Sequence, residues 1–355
     1  MLLPSIIIIC IAALVQWFFI KYSLKDMAYK AEISKSIVEP GEHFTIYSEI
    51  INYKRLPEIF LEIYEPIPYG ADIHGNYNLG KSGRFIIKSF YLLARQKAIS
   101  RISLSLTSRG QYTLPYVTIY GGDFLGAKSK DKTFPYIGKI VCIPKRIDSP
   151  NIIKALGSFL GEVSVRRFIM PDPVLTVGTR EYTGREPLKD IHHAHSARQG
   201  RLMVRQYDYT LEPAITIILD TRLPIQSTKY NNIETCLSIS RVIFEELDKL
   251  GAMFAFMTNT KSSFSERWHN VPDGLGSSHI NELLGGLGCA TYSTTESTIS
   301  LLNRAIARCE QGRSYIIIMP IESTDNEVHR LLSLLKHISG GLVLLITPEG
   351  GEVTW

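Results

Sequence analysis

The chain has 355 residues, of which 45% are apolar and 21% are charged, so it can fill more than one hydrophobic core. This balance excludes an intrinsically disordered chain and a fibre, and the length favours two domains. The formal net charge of +5 is small for this length and is not typical of nucleic-acid-binding proteins, which concentrate Lys and Arg in a stripe.

The N-terminal segment is strongly apolar. Residues 2–20 are interrupted only by Pro4, Ser5 and Gln16. A stretch of this length is close to what a helix needs to cross about 30 Å of hydrocarbon. Aromatic residues lie at its end, where they favour the headgroup layer of a bilayer. The sequence therefore predicts a single transmembrane anchor over residues 1–23, with lipid contact through residues 2–20.

The orientation of this anchor is indicated by the basic residues that follow it. Lys21, Lys25 and Lys30 come after the apolar stretch and no Lys or Arg precedes it. The positive-inside rule then places the C-terminal body in the cytoplasm, with the anchor in the inner membrane. A cleaved signal peptide is the alternative, although the stretch lacks a basic start and a small-x-small cleavage site. Five cysteines without a C-x-x-C pair favour a reducing compartment.

Residues 31–145 consist of short segments separated by turn residues. Apolar and polar residues alternate strictly over residues 102–106, as in a strand with one buried face. Glycines recur at the spacing of an all-β fold, and no helical stripe is present, so we predict an immunoglobulin-like β-sandwich. His43 and His74 are each isolated in the sequence. We expect both to be surface or packing residues.

The pattern changes after Pro150, where apolar runs begin to alternate with amphipathic helices. This alternation is typical of an α/β domain with a largely parallel sheet. The predicted strands cover residues 214–219, 252–258, 314–319 and 341–347. Residues 150–355 are therefore predicted to hold an arm followed by an α/β domain.

A charged block precedes the first of these strands. It contains Arg180-Glu-Tyr-Thr-Gly184, an Ile-His pair at Ile191, and Ser196-Ala-Arg198. Together with a Ser-Arg-Gly-Gln-Tyr turn at residues 108–112, the block resembles the signature of the domain of unknown function 58 family over residues 100–225. One departure is His193, where that family usually has Trp. The resemblance implies that the α/β domain is of the von Willebrand factor type A kind.

The combined prediction is a membrane-anchored α+β multidomain protein: one N-terminal transmembrane helix, an immunoglobulin-like β-sandwich, and an α/β von Willebrand factor type A-like domain. The resemblance also implies a partner, because proteins of this family look like companions of MoxR-type AAA+ ATPases. We therefore expect a non-enzymatic adaptor or scaffold that acts with such an ATPase in the assembly or regulation of other protein complexes. No catalytic residue, cofactor or nucleic-acid partner is expected.

The alternative function is a metal-dependent ligand binder or an enzyme at the carboxyl edge of the sheet near Asp220. Type A domains hold Mg²⁺ at this edge with Asp-x-Ser-x-Ser, because a carboxylate and two hydroxyls supply hard oxygens. Here Arg222 and Pro224 stand at the two serine positions, and a guanidinium repels a divalent ion. Asp220 is therefore a weak metal candidate.

The charged block itself has two interpretations. Its side chains either form an ion-pair network that locks an extended arm or form a recognition surface for a partner protein. The residues concerned are Arg180, Glu181, Tyr182, Arg185, Asp190, His192, Ser196 and Arg198. A zinc site is a weaker hypothesis, because only His193 and His195 could share one face of an extended segment. A Ser196 nucleophile with a histidine base would need a third orienting group and an oxyanion hole.

Overall fold

The computed structural model describes residues 2–81, 83–122, 129–169, 176–184, 186–207, 214–223, 230–321, 325–348 and 352–354. Over these residues the chain is an α+β protein that divides into two compact units, Met1–Lys145 and Arg146–Trp355. Two residues named above, Arg185 and Pro224, lie outside the described residues.

The first unit begins with helix α1 (Leu2–Tyr22). A membrane-spanning helix needs about 20 consecutive, predominantly apolar residues. Among the described residues, no helix combines sufficient length with sufficient apolar character to cross a membrane. The predicted transmembrane anchor over residues 1–23 is therefore wrong, and so is the single-pass placement in the inner membrane with a cytoplasmic body.

The chain that leaves α1 is fixed by buried polar contacts. Ser23 Oγ donates to Glu58 Oε1 over 2.5 Å, and Lys54 Nζ donates to Tyr22 O over 3.0 Å. Lys54 and Glu58 also form a buried ion pair. A Cβ added to Gly121 would lie 2.3 Å from Ser23 Oγ, so the close approach of this segment requires glycine. The end of α1 is thus held by the same unit that contains the strands.

The strands of the first unit form two sheets. They are β1 (Met27–Ile33), β2 (Ile37–Val38), β3 (His43–Asn52), β4 (Glu58–Pro66), β5 (Ala71–His74), β6 (Asn78–Leu79), β7 (Phe85–Leu92), β8 (Lys97–Leu106), β9 (Gly110–Gly122) and β10 (Ser129–Cys142). One sheet has the order β1-β3-β8-β5 and the other the order β2-β10-β9-β4-β7-β6. Neighbouring strands are antiparallel except β2 with β10, which are parallel.

The two sheets pack face to face because alternate residues of each strand are apolar. Phe44 and Ile102 of the first sheet share a buried cluster with Ile86 and Ile140 of the second. A second buried cluster joins the sheets nearer to the end of α1. The first unit is therefore a β-sandwich with its apolar side chains between the two sheets.

The second unit has helices and a mixed sheet. Its elements are α2 (Pro150–Ile169), β11 (Thr176–Glu181), a 3-10 turn (Leu188–Asp190), α3 (His193–Gln199), β12 (Met203–Tyr207), β13 (Ile215–Leu219), α4 (Tyr230–Lys249), β14 (Phe254–Thr258), β15 (Thr260–Ser262), a 3-10 turn (Glu266–His269), β16 (Asn270–Gly274), α5 (Ser277–Gly288), β17 (Ala290–Thr294), α6 (Thr298–Ala307), β18 (Ser314–Ile318), α7 (Asn326–Ser339), β19 (Val343–Ile346) and β20 (Glu352–Thr354).

The main sheet of this unit has the order β16-β14-β13-β18-β19-β20. The four central strands are parallel, and both edge strands are antiparallel to their neighbours. Every residue of β13 is buried, as expected for a parallel strand covered on both faces. Leu301 of α6 and Leu335 of α7 pack with Ile317 on one face. On the other face, Phe244 of α4 stacks on Phe254.

The glycine-rich end of α5 has a packing role. A Cβ added to Gly286 would lie 1.6 Å from Trp268 Nε1, and one added to Gly285 would lie 2.6 Å from the ring of Phe264. Trp268 is fully buried, and its Nε1 donates to Leu283 O over 3.3 Å. The glycines therefore allow this helix to approach two aromatic rings closely.

Candidate functional site

Asp220 lies at the carboxyl edge of the main sheet, directly after β13. The two parallel neighbours of β13, which are β14 and β18, lie on opposite sides of it. The amide of Asp220 donates to Ile318 O at the end of β18 over 2.9 Å. In open α/β sheets, ligands bind at the point where the strand order reverses. Asp220 therefore stands at the position where this fold class would place a ligand.

Both carboxylate oxygens of Asp220 already accept hydrogen bonds. Oδ1 accepts from Arg222 N over 2.9 Å and from Asn259 Nδ2 over 2.6 Å. Oδ2 accepts from Thr298 Oγ1 over 2.6 Å. The residue is only 2% exposed. Three of its roughly four acceptor positions are thus used inside the protein.

A layer of buried polar groups surrounds this carboxylate. Asn259 Oδ1 accepts from Thr221 N over 3.1 Å, and the hydroxyls of Thr221 and Thr260 are 2.9 Å apart. Thr258 Oγ1 donates to Leu219 O over 2.7 Å. All of these polar residues are buried. Because each has a partner, the layer is hydrogen-bonded throughout and does not present an orphaned group to a ligand.

The loop before α6, the helix that begins at Thr298, is attached to the same layer. Thr295 donates to Asn259 O through both its amide and its hydroxyl, over 2.8 and 3.0 Å. Arg304 Nη2 pairs with Glu296 Oε1 over 2.5 Å. These contacts hold the hydroxyl of Thr298 against Asp220. The site therefore joins three loops, which follow β13, follow β14 and precede α6.

The pKa of Asp220 is set by its burial and its hydrogen bonds. Burial raises the pKa of Asp220 above its usual range, while the hydrogen bonds from Thr298, Arg222 N and Asn259 oppose that rise. A proton that is held more tightly competes better with a cation for the carboxylate. A divalent ion would also have to replace the donors of Asn259 and Thr298. Over the described part of the chain, no three His, Cys, Asp or Glu side chains form a metal-holding group.

The charged block forms a small folded element, which we call the charged arm (residues 176–207). Strands β11 and β12 pair antiparallel in it. Arg180 Nη1 lies 2.6 Å from Glu186 Oε1. Glu186 also accepts from the amide and the hydroxyl of Thr183, over 3.0 and 2.8 Å. The Thr183 hydroxyl is the main reason that the pKa of Glu186 is lowered to about 2, and Arg180 contributes to the same effect.

The remaining charged residues of the arm lie largely at its surface. Glu181 pairs with Arg201 over 3.2 Å, and both side chains are more than half exposed. The amide of Tyr182 donates across the strand pair, and that of Asp190 closes the 3-10 turn. Arg198 is exposed on α3. The ion pairs of Arg180 and Glu181 are therefore internal to the arm and partly solvated.

The polar residues of α3 have structural contacts. His192 Nδ1 accepts from His195 N over 3.2 Å and so caps the helix. Ser196 Oγ donates to His192 O over 3.0 Å and accepts from Met203 N over 2.8 Å, which ties α3 to β12. His195 Nδ1 hydrogen-bonds to a threonine hydroxyl of β11. His193 is exposed. Ser196 is thus engaged by main-chain groups rather than aligned with a histidine base.

Several residues at these sites carry no clear signal in the sequence. Asn259 directly follows a predicted strand at the same edge as Asp220, so its position could have been inferred. Thr298 lies 78 residues after Asp220, and no motif links the two. His43 and His74 are far apart in the sequence, yet their ring centroids are only 4.1 Å apart. They meet because the strands that carry them flank the same neighbour.

Comparison with known proteins does not place the chain in a family. No protein-family model matches it, and no curated protein matches it. A CARDB domain from Pyrococcus furiosus is 9% identical, over 34% of this chain and 96% of that one, with a TM-score of 0.21. Spo0M from Bacillus subtilis is 10% identical, over 45% and 58%, with a TM-score of 0.20. The C-terminal domain of Wzt is 9% identical, over 36% and 79%, with a TM-score of 0.23. Such low scores carry no argument about function.

Proposed function

We propose that the protein is a non-catalytic adaptor that binds a partner protein through its charged arm and needs no metal ion at the edge of its main sheet. The observation that supports this proposal is that both carboxylate oxygens of Asp220 are hydrogen-bonded within the protein. This carboxylate accepts from Arg222 N, Asn259 and Thr298 and is almost completely buried. The ligand position of the fold is therefore filled by the protein's own donors.

Catalysis at this edge would require a group that a substrate can reach. A general base has to lie within hydrogen-bond distance of the proton that it removes. The oxygens of Asp220 are held by internal donors, and the surrounding hydroxyls of Thr221, Thr258 and Thr260 are buried. The edge is thus better suited to fixing three loops than to chemistry.

The charged arm supplies a surface suited to a protein partner. Arg198 is exposed and forms no ion pair among the described residues. Two large apolar side chains of the arm, Leu188 and Leu202, are also more than half exposed. Arginine is enriched among the residues that contribute most to protein–protein binding, and exposed charges contribute to the selection of a partner. The family resemblance of the sequence implies a MoxR-type AAA+ ATPase as the partner.

The test is association of the full-length chain with a purified MoxR-type AAA+ ATPase from the same organism. We expect Arg198→Ala to weaken binding by about tenfold, and the loss to be larger at low salt, because unscreened charges contribute most there. Arg330→Ala is the matched control, since Arg330 is an exposed helical arginine of the same unit outside the arm. Equal affinities for wild type and Arg198→Ala at low salt would exclude the arm as the binding surface, and no binding by wild type would exclude this partner.

A divalent-ion-dependent ligand binder is the second candidate. The observation in its favour is the 2.6 Å contact between Asp220 Oδ2 and Thr298 Oγ1, which places two hard oxygens together at the ligand edge. Calorimetric titration of the full-length chain with Mg²⁺ separates the two functions. Binding heat that disappears in Asp220→Ala would favour this candidate over the metal-free adaptor.

A further inference from the structure

The outer face of the first sandwich sheet brings two histidines together. His43 begins β3 and His74 ends β5, and β8 lies between these strands. Their imidazole rings are in contact, with centroids 4.1 Å apart and planes at 68°. Both side chains are exposed. Two imidazoles at contact distance on a solvent-facing surface can act as packing partners or as a pair of metal ligands.

The strand register explains why residues 31 positions apart meet. Ser105 of β8 is paired with His43 on one side and with Asp72 on the other. The neighbouring outward position, Ser103, is paired with His74. The two histidines therefore approach each other diagonally across β8, and small serine side chains between them leave room for the rings.

Ser105 has the position of a group that orients a metal ligand. Its hydroxyl lies 2.8 Å from His74 Nε2, and the residue is only 4% exposed although it belongs to the outer face. A histidine that binds a metal through one ring nitrogen usually donates the other N–H to a nearby acceptor. If His74 donates from Nε2 to Ser105, its Nδ1 is left with a lone pair for an ion.

We propose that His43 and His74 form a binding site for a divalent transition-metal ion such as Zn²⁺, with Ser105 as the positioning residue. Imidazole nitrogen suits Zn²⁺, Cu²⁺ and Ni²⁺, whereas Mg²⁺ and Ca²⁺ take oxygen ligands. No group of three His, Cys, Asp or Glu ligands occurs among the residues that the structure describes. Solvent therefore completes the coordination, as in open sites rather than closed structural ones. The carboxylate of Asp72, two residues before His74 in β5, adds negative charge to the same part of the face.

The test is a calorimetric titration of the full-length, chelator-treated chain with Zn²⁺. We expect one zinc ion to bind at this pair, and His43→Ala and His74→Ala each to weaken that binding by at least about tenfold, because each removes one of two protein ligands. Ser105→Ala keeps both imidazoles and should weaken binding by about tenfold, as losses of orienting partners usually do. Long-range ¹H–¹⁵N NMR of selectively labelled histidines should show the ring-nitrogen shifts of His43 and His74 moving on zinc addition.

His193→Ala is the matched control, because His193 is an exposed histidine of the other unit. It should bind zinc as wild type does. Wild-type zinc affinity in both His43→Ala and His74→Ala would overturn the proposal, and so would the absence of zinc binding by the wild-type chain. Since both histidines are exposed, unchanged thermal unfolding of the two variants confirms that a loss of zinc binding does not arise from a loss of folding.

Discussion

Replacing Thr298 with alanine should destabilise the second unit by about 1–2 kcal/mol. The Thr298 hydroxyl donates to Asp220 Oδ2 over 2.6 Å, and this carboxylate is buried. A buried acceptor that loses its donor costs about 1–3 kcal/mol, more when the acceptor is charged. The side chain of Thr298 is only partly buried, so solvent can reach the vacated position, and the lower part of this range is expected.

The assay is urea unfolding followed by tryptophan fluorescence. The chain has three tryptophans, and Trp268 of the main-sheet unit is fully buried. In a background with Trp17→Phe and Trp355→Phe, the signal reports this unit alone. Thr298→Ser retains the hydroxyl and serves as the control, which should stay within about 0.5 kcal/mol of the background protein.

Unfolding of Thr298→Ala at the same urea concentration as the background protein, with the same slope, would contradict this expectation. That result would mean that the carboxylate of Asp220 does not depend on this donor. Mg²⁺ could also raise the urea midpoint of the background protein and leave that of Thr298→Ala unchanged. This result would contradict the expectation as well. It would show that the two oxygens hold an ion rather than each other.

Three other changes, with Gly157→Ala as the packing control, probe the pKa shifts and the packing. Asp220→Asn should become less destabilising relative to wild type as the pH rises from about 3 to 7, because burial raises the folded-state pKa of Asp220 and wild type loses stability as the pH rises through that value. Urea unfolding at several pH values measures the difference. Thr183→Ala should raise the pKa of Glu186 from about 2, because the hydrogen bond from the Thr183 hydroxyl is the main cause of the low value. Carboxyl NMR titration measures this rise. This lowered pKa stabilises the fold above the usual glutamate pKa, and that contribution is lost as the pH falls towards about 2. Gly286→Ala should destabilise the second unit by about 3 kcal/mol or more, since an added Cβ would lie 1.6 Å from a buried indole nitrogen. Gly157→Ala on α2 meets nothing within 4 Å, and urea unfolding should show it to be neutral or stabilising by about 1 kcal/mol.

Each of these has an outcome that would contradict it. A constant stability difference between Asp220→Asn and wild type across the pH range would mean that the folded-state pKa of Asp220 is not raised. An unchanged titration of Glu186 in Thr183→Ala would assign the lowered pKa to the backbone amides of Thr183 and Glu186 and to Arg180 instead. Wild-type stability of Gly286→Ala would show that α5 does not need its close approach to the aromatic rings.

The parallel strands were accessible from the sequence because burial on both faces leaves a continuous apolar run. β13 and β18 lie within the predicted runs 214–219 and 314–319 for this reason. The strands of the sandwich alternate instead, and residues 102–106 are part of β8. The N-terminal apolar stretch also forms a helix, α1, but composition and length suggested a membrane span that the structure does not support.

The chemistry of the sites was less accessible, because it depends on residues from distant parts of the chain. The donors of Asp220 come from Asn259 and Thr298, which lie 39 and 78 residues further on. A single sequence gives the edge of the sheet at which Asp220 lies but not which loops fold over it. The ion-pair partner of Arg180 is Glu186, which lies in a turn. The acid next to Arg180 in the sequence is Glu181. The backbone of the turn brings the side chains of Arg180 and Glu186 together, and the spacing of charges in the sequence does not predict that contact.

The opposite edge of the main sheet bears on where a partner can bind. Arg313 donates to both carboxylate oxygens of Asp273, over 3.0 and 2.6 Å, and its Nη2 also donates to Glu310 over 2.8 Å. Its Nη1 donates in addition to Thr216 Oγ1 of β13 over 3.0 Å. A guanidinium group whose N–H groups are hydrogen-bonded in this way has few donors left for a ligand. Arg313 at the amino edge and Asp220 at the carboxyl edge thus both use their hydrogen-bonding groups within the unit. A binding function of this unit then depends on groups away from these two residues, and the exposed arginine and leucines of the charged arm meet that condition.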